Sequence, residues 1–89
     1  MYKIDYHKRV IKFLVKQDLK FKNQVLDTFE KIALNPYVST YDIKPLKDSD
    51  SVNTKFRLRI GKYRFIYKIV DSQLLIKVAD AGSRGDIYK

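Results

Sequence analysis

The chain has 89 residues, carries a formal net charge of +9 and contains no cysteine. Its length predicts one domain over residues 1–89, and the missing cysteine excludes a disulfide scaffold, thiolate metal ligands and a cysteine nucleophile. No stretch has the length or the pattern of a membrane span or a signal peptide, so we expect a cytoplasmic protein without membrane partners. So strong a positive charge attracts polyanions, and nucleic acid is the partner we favour.

The first part of the chain predicts a strand followed by a helical hairpin. Residues 1–5 alternate apolar and polar side chains, as a strand does, and residues 6–16 change to a helical period. Asp18 has the side chain of an N-cap for a second helix, which the Asn35-Pro36 pair ends. The apolar positions of that second helix recur at three- and four-residue steps: Phe21, Val25, Leu26, Phe29, Ile32 and Ala33.

The second part predicts an antiparallel meander of three strands. Residues 37–53 are the least regular, and we interpret them as a loop that contains at most one short paired segment. Gly61 occupies the first central position of a two-residue type II′ turn. We expect strands over residues 54–60, 63–70 and 73–80, with turns at 61–62 and 71–72. A strand, a helical hairpin and a C-terminal antiparallel meander packed against the helices make the fold class α+β.

The turn at Gly61 predicts which residues of the first two meander strands lie opposite each other. The expected pairs are Ile60–Tyr63, Arg59–Arg64, Leu58–Phe65, Phe56–Tyr67 and Lys55–Lys68. One face is then apolar and available to the helices. The other face carries five cations with no acidic residue among them: Lys55, Arg57, Arg59, Arg64 and Lys68. Like charges opposite each other destabilise a sheet, and a polyanionic ligand would offset their repulsion.

A face of this kind suits the cleavage of RNA by attack of a 2′-hydroxyl on the neighbouring phosphate. Arginine stabilises the charge that builds on the phosphate oxygens through bidentate bonds. Lys55, set among like charges, is the candidate base. The one histidine, His7, is far in sequence from the cations, and we interpret it as a helix-entry residue. No residues have metal-ligand spacing and no glycine-rich phosphate loop occurs, so we expect no metal and no cofactor.

Residues 45–67, PLKDSDSVNTKFRLRIGKYRFIY, resemble the RelE/ParE toxin superfamily. The ending AGSRGDIY, residues 81–88, is similar to that superfamily's terminal glycine, basic residue and tyrosine. The resemblance implies a RelE-like toxin of a type II toxin–antitoxin system that cleaves mRNA in the ribosomal A site without a metal, leaving a 2′,3′-cyclic phosphate. It also implies two partners, which are mRNA on the ribosome and a cognate antitoxin protein.

The resemblance also implies roles for individual residues. Lys55 matches the family's first catalytic lysine, and Arg57 matches the second, which is thought to act as a base. Arg64 matches the arginine that stabilises the phosphate. Arg84 matches a proton donor or charge stabiliser, and Tyr88 matches a tyrosine that stacks on or orients a nucleotide base. Further RNA- or phosphate-binding residues are expected at Arg59, Lys62 and Lys68.

Arg57 departs from the family pattern, which has a lysine at this position. Arginine keeps its proton in proteins. Either Lys55 is therefore the base, or the chemistry rests on charge stabilisation and positioning alone, with slower cleavage. Tyr88 has a second interpretation, as an aromatic plug that packs the last segment onto the sheet.

Two other functions remain open from the sequence. One is a ParE-like toxin that inhibits DNA gyrase without any enzymatic activity. The other is a ribosome- or RNA-binding module whose cleavage has been weakened or lost, an alternative to which Arg57 gives weight.

Overall fold

The computed structural model describes residues 1–37, 40–46 and 55–83. Its elements are β1 (Lys3–Tyr6), α1 (Lys8–Val15), α2 (Leu19–Leu34), β2 (Ile43–Leu46), β3 (Lys55–Ile60), β4 (Tyr63–Val70), a 3₁₀ turn (Asp71–Gln73) and β5 (Leu75–Ser83). The strands form one sheet in the order β1-β5-β4-β3-β2. The predicted α+β class, with a helical hairpin between the first strand and the meander, is confirmed. No helix in these described ranges is long and apolar enough to cross a membrane.

Both helices begin at side chains that cap their first turn. The backbone of His7 is extended, and its Nδ1 accepts a hydrogen bond from the Arg9 backbone N–H at 3.1 Å. This confirms His7 as the helix-entry residue and makes α1 shorter than the predicted 6–16. Asp18 caps α2 as predicted, because its Oδ1 accepts from the Phe21 N–H at 2.7 Å. The helix ends directly before Asn35-Pro36, where the residue preceding proline leaves the helical region.

The helices pack on the apolar face of the sheet, and Phe29 of α2 is the centre of the aromatic packing. Its ring makes edge-on contacts with Tyr6, Phe65 and Tyr67 at centroid distances of 5.9, 5.9 and 5.6 Å. The Tyr67 hydroxyl is buried with no hydrogen-bond partner among the described residues, and burial raises the pKa of that phenol. The core residues predicted on the meander are buried or packed against the core: Phe56, Leu58, Ile60, Phe65, Tyr67, Ile76 and Val78.

The turn between β3 and β4 has the predicted geometry. Gly61 has a φ of +60°, whereas Lys62 is not among the residues with positive φ. That combination belongs to a type II′ turn, which places the positive φ at its first central residue alone. The predicted register follows from it, with Arg59 opposite Arg64 and Lys55 opposite Lys68.

The third meander strand starts later and ends later than predicted. The chain takes a 3₁₀ turn from Asp71 instead of a two-residue turn, and Leu74 adopts a left-handed φ of 48° before β5 begins. A register shift between the pairs Ile66–Asp80 and Tyr67–Val78 leaves Ala79 as an extra residue, a β-bulge. Antiparallel pairing continues after the bulge, so β5 runs to Ser83 instead of ending at Asp80.

The two edge strands depend on pairing that the sequence pattern shows only weakly. β1 was predicted over residues 1–5 and lies at Lys3–Tyr6, parallel to β5. β2 is the one short paired segment expected within residues 37–53, and it is antiparallel to β3. β2 contains Pro45, which an edge strand tolerates because one side of its backbone needs no partner.

The Asp71 carboxylate connects three distant parts of the chain. It accepts hydrogen bonds from the hydroxyls of Tyr2 and Tyr37, at 2.6 and 2.7 Å. These bonds hold the pKa of Asp71 below its ordinary value, and they raise the pKa of Tyr2 and bring that of Tyr37 to about 12. The contact therefore fastens the first residues of the chain and the segment after α2 to the turn before β5.

We expect Asp71 to contribute to the loss of stability in acid. Its folded pKa is lower than its unfolded pKa, so its stabilisation is present above the unfolded value, about 4, and is lost as pH falls through the folded value. Asp71→Asn should therefore lower the melting temperature most near neutral pH, and the difference from wild type should shrink towards about pH 3. Thermal unfolding of both proteins across this pH range measures the difference in melting temperature. A difference that does not change with pH would contradict the role given to the Asp71 carboxylate.

Candidate functional site

The face of the sheet opposite the helices is the cationic face, and it carries Lys55, Arg57, Arg59, Arg64 and Lys68. In the register of β3 and β4, Lys55 lies opposite Lys68 and Arg59 lies opposite Arg64. Arg57 lies opposite Ile66, so an apolar side chain stands between the two cationic pairs. The structure thus brings five of the eight predicted site residues onto one surface.

The cationic face also contains a carboxylate that the sequence pattern did not predict. Asp42 lies just before β2, where its carbonyl oxygen accepts the Arg59 backbone N–H at 3.0 Å. Its side chain reaches two arginines, with Oδ1 at 2.7 Å from Arg57 Nη2 and Oδ2 at 3.5 Å from Arg59 Nε. The expectation of a face with no acidic residue was wrong, because Asp42 belongs to an irregular segment whose position depends on β2 pairing with β3.

Asp42 gives Arg57 a different environment from that of the other cations. Arg57 is only 9% exposed, whereas Arg59 and Lys55 are exposed. Its Nη2 donates to Asp42, and its buried Nε has no hydrogen-bond partner among the described residues. The Asp42 carboxylate therefore holds the guanidinium in place, and this arrangement suits charge stabilisation better than proton removal.

Neighbouring strands widen the cationic face beyond the residues predicted from sequence. Lys44 of β2 lies opposite Arg57, and Lys77 of β5 lies opposite Lys68. Gly82 lies opposite Arg64 and adds no side chain to this face. Lys77 was not among the predicted site residues, because the register set by the Gly61 turn extends only to β3 and β4.

Three of the predicted site residues are not placed on this face. Lys62 lies in the turn, and its Nζ is 5.4 Å from the centroid of the Tyr63 ring, which packs against Phe13 and Phe21 on the helical side. Arg84 and Tyr88 lie outside the described residues.

His7 lies close to the cationic face although it is distant in sequence. It lines a pocket together with Lys68 and Lys77, because the chain passes from β1 into α1 beside β5. The backbone N–H of His7 donates to the Val78 carbonyl at 2.9 Å, which fixes the residue at that point. Within the described ranges, no three histidine, cysteine or carboxylate side chains are grouped as metal ligands would be.

Comparison with known proteins identifies the family, although no family model matches the chain. A protein of Methanocaldococcus jannaschii that is named as a candidate toxin RelE1 is 34% identical over 91 residues, covering 99% of this chain and 96% of that relative. The chain belongs to the RelE toxin family. A candidate RelE-like toxin of Escherichia coli is 27% identical over 89 residues, covering 98% of this chain and 90% of the relative.

The fold agrees with this membership of the RelE family. The crystal structure of the archaeal RelE–RelB complex from Pyrococcus horikoshii contains a chain that matches with a TM-score of 0.82 at 24% identity. The match covers 96% of this chain and 97% of the other, and at that identity it shows the fold alone. The resemblance that rested on residues 45–67 and 81–88 is confirmed at the level of the RelE family.

Proposed function

We propose that this RelE-family chain is the toxin of a toxin–antitoxin pair and acts as a metal-independent endoribonuclease on mRNA in the ribosomal A site. The observation that carries the proposal is the register of β3 and β4, which gathers Lys55, Arg57, Arg59, Arg64 and Lys68 on one face. A phosphodiester strand is the ligand that would offset the repulsion within such a group. The similarity to proteins named as RelE toxins supports the same reading.

The proposed reaction is an internal transesterification. The 2′-oxygen attacks the adjacent phosphorus, the bond from phosphorus to the 5′-oxygen breaks, and a 2′,3′-cyclic phosphate remains. Lys55 takes the proton from the 2′-hydroxyl, and Arg64 stabilises the charge on the nonbridging oxygens. Arg84 stabilises the departing 5′-oxygen, which takes a proton from water, and Tyr88 stacks on a nucleotide base.

Arg57 contributes charge stabilisation in this scheme. Its ion pair with Asp42 at 2.7 Å fixes the guanidinium where a lysine would be the base in relatives of this type. A guanidinium keeps its proton at any pH at which the fold survives. Lys55 therefore removes the proton, and we expect cleavage to be slower than in a chain with two lysines.

The proposed protein partner is an antitoxin. The RelE of Pyrococcus horikoshii was solved in complex with RelB, and the +9 charge of this chain suits an acidic partner. We propose that the antitoxin covers the cationic face or displaces the C-terminal segment. Unchanged RNA cleavage by a saturated toxin–antitoxin complex would contradict both forms of this proposal.

The deciding experiment maps mRNA ends after incubation of the protein with programmed ribosomes. Wild type is expected to cut within the A-site codon, and Arg84→Ala and Tyr88→Ala are expected to lose the cut. Lys20→Ala is the matched control, because Lys20 is an exposed cation on α2, in the helical layer. Inhibition of DNA gyrase without any cut would favour the ParE-like alternative, and ribosome binding without a cut would favour a module that has lost cleavage.

A further inference from the structure

The pocket that His7 lines adjoins the cationic face, at its border with β1. It has a volume of about 260 Å³ and is lined by Asp5, His7, Lys68, Lys77, Val78 and Ala79. The β-bulge at Ala79 lies at its rim, where the extra residue interrupts the regular pairing of β4 with β5. The pocket combines two ammonium groups, an imidazole and one carboxylate.

The two lysines of the pocket belong to a row that crosses the sheet. Lys68 lies opposite Lys55 on one side and opposite Lys77 on the other. Adjacent strands are about 4.8 Å apart, so the row extends about 10 Å from Lys55 to Lys77. In the part of the chain that the structure describes, no carboxylate forms an ion pair with Lys68 or Lys77.

His7 lies at the end of this row, and Arg9 orients its ring. Its Nδ1 accepts hydrogen bonds from the backbone N–H and the Nε–H of Arg9, at 3.1 and 3.2 Å. A neutral imidazole that accepts at Nδ1 carries its proton on Nε2. Nε2 is then the ring nitrogen left to donate to a ligand oxygen.

We propose that His7, Lys68 and Lys77 form a second phosphate-binding subsite for the RNA strand. The subsite rests on the proposed function and extends it, because it holds a phosphate that flanks the one to be cleaved. The row is about 10 Å long, which is more than one phosphate group occupies, so Lys55 and Lys77 can contact different phosphates of one strand. The RNA therefore crosses the sheet at a right angle to the strands, from β3 towards β1.

Two features favour RNA over an acidic peptide as the occupant. The row continues directly from Lys55, the residue assigned to the cleavage chemistry, so one polyanion can contact the row and the cleavage site together. The pocket also offers separate single donors at spaced positions, which suits successive phosphates of a strand. Asp5 lies opposite Lys77 and opposes any anion, so it limits the affinity of the subsite.

The test measures binding of RNA without ribosomes or cleavage. The probes are a fluorescein-labelled hexanucleotide and a matching dinucleotide, both fully 2′-O-methylated so that no 2′-hydroxyl can attack. Lys77→Gln is expected to weaken hexanucleotide binding about fivefold and to reduce the slope of log affinity against log salt by about 0.7. The dinucleotide, too short to reach both sites, should bind equally to both proteins. Asp5→Asn should tighten hexanucleotide binding, and Lys20→Gln is the charge-matched control.

The outcomes separate the subsite from the proposed function. Equal hexanucleotide affinities of wild type and Lys77→Gln would overturn the subsite even if ribosomal cleavage is intact. An effect of Lys77→Gln on antitoxin binding alone would also overturn it, because the occupant would then be a protein. Weaker hexanucleotide binding in a protein that never cuts mRNA would support the subsite and reject the endoribonuclease.

Discussion

Arg64→Ala is expected to reduce A-site cleavage by about 100- to 1,000-fold, the usual effect of removing one preorganised group that stabilises developing charge. Arg64 lies opposite Arg59 and Gly82, on the cationic face and beside a position without a side chain. A guanidinium there can form two bonds to the nonbridging oxygens of a phosphate, and these strengthen as charge builds in the transition state. Single-turnover cleavage on programmed ribosomes measures the effect.

Two further variants show whether the charge or the planar geometry of Arg64 is responsible for its effect on cleavage, and whether loss of any cation has the same effect. Arg64→Lys keeps the charge and loses the planar fork, so its rate should lie between those of wild type and Arg64→Ala. Lys20→Ala removes a cation from α2 and should cleave at the wild-type rate. Full activity of a folded Arg64→Ala protein would reject the role of Arg64. Thermal unfolding of each variant shows whether the fold survives the change.

Asp42→Asn is expected to destabilise the fold and to tighten RNA binding at the same time. The substitution leaves the guanidinium of Arg57, whose side chain is 10% exposed, without its carboxylate. Loss of one charge-assisted hydrogen bond to a buried group costs about 2 kcal/mol, which corresponds to a fall of about 10 °C in the melting temperature of a domain of this size. The Asp42 side chain is 47% exposed, so water moderates the loss.

The gain in RNA affinity has a separate cause. In the wild-type protein, the Asp42 carboxylate competes with phosphate for Arg57 and Arg59. Removal of its charge frees both arginines for the ligand. Asp27→Asn is the matched control, because it makes the same change of charge in an exposed pair with Lys31 on α2. That control should lower the melting temperature much less than Asp42→Asn does and leave RNA binding unchanged. Weaker binding of the methylated hexanucleotide by Asp42→Asn than by wild type would contradict this prediction, because Asp42 would then assist RNA binding.

The meander could be predicted in detail because its information is local. A glycine at the first position of a two-residue turn sets the register, and strict alternation then assigns each side chain to a face. The pair Arg59–Arg64 and the pair Lys55–Lys68 follow directly from these two facts. The N-cap at Asp18 and the end of α2 before Pro36 are local in the same way, since each depends on residues within one turn.

The residues that sequence analysis missed depend on contacts between distant segments. Asp42 precedes β2, a four-residue edge strand with no strong pattern, and it reaches Arg57 only when β2 pairs with β3. Lys77 joins the lysine row through the pairing of β4 with β5, across a 3₁₀ turn and a bulge that the pattern did not reveal. His7 reaches that row because β1 pairs in parallel with β5, a strand more than sixty residues further along the chain.

The sequence by itself determined the charge of the protein, the helical hairpin, the register around Gly61 and the separation of five cations from the apolar face. Only the tertiary structure decided that a carboxylate sits between two of those cations and that β5 and β1 extend them with Lys77 and His7. The physical reason is that periodicity and turn geometry act between near neighbours in the chain. Strand order and long-range pairing instead arise from how the whole sheet buries its apolar face.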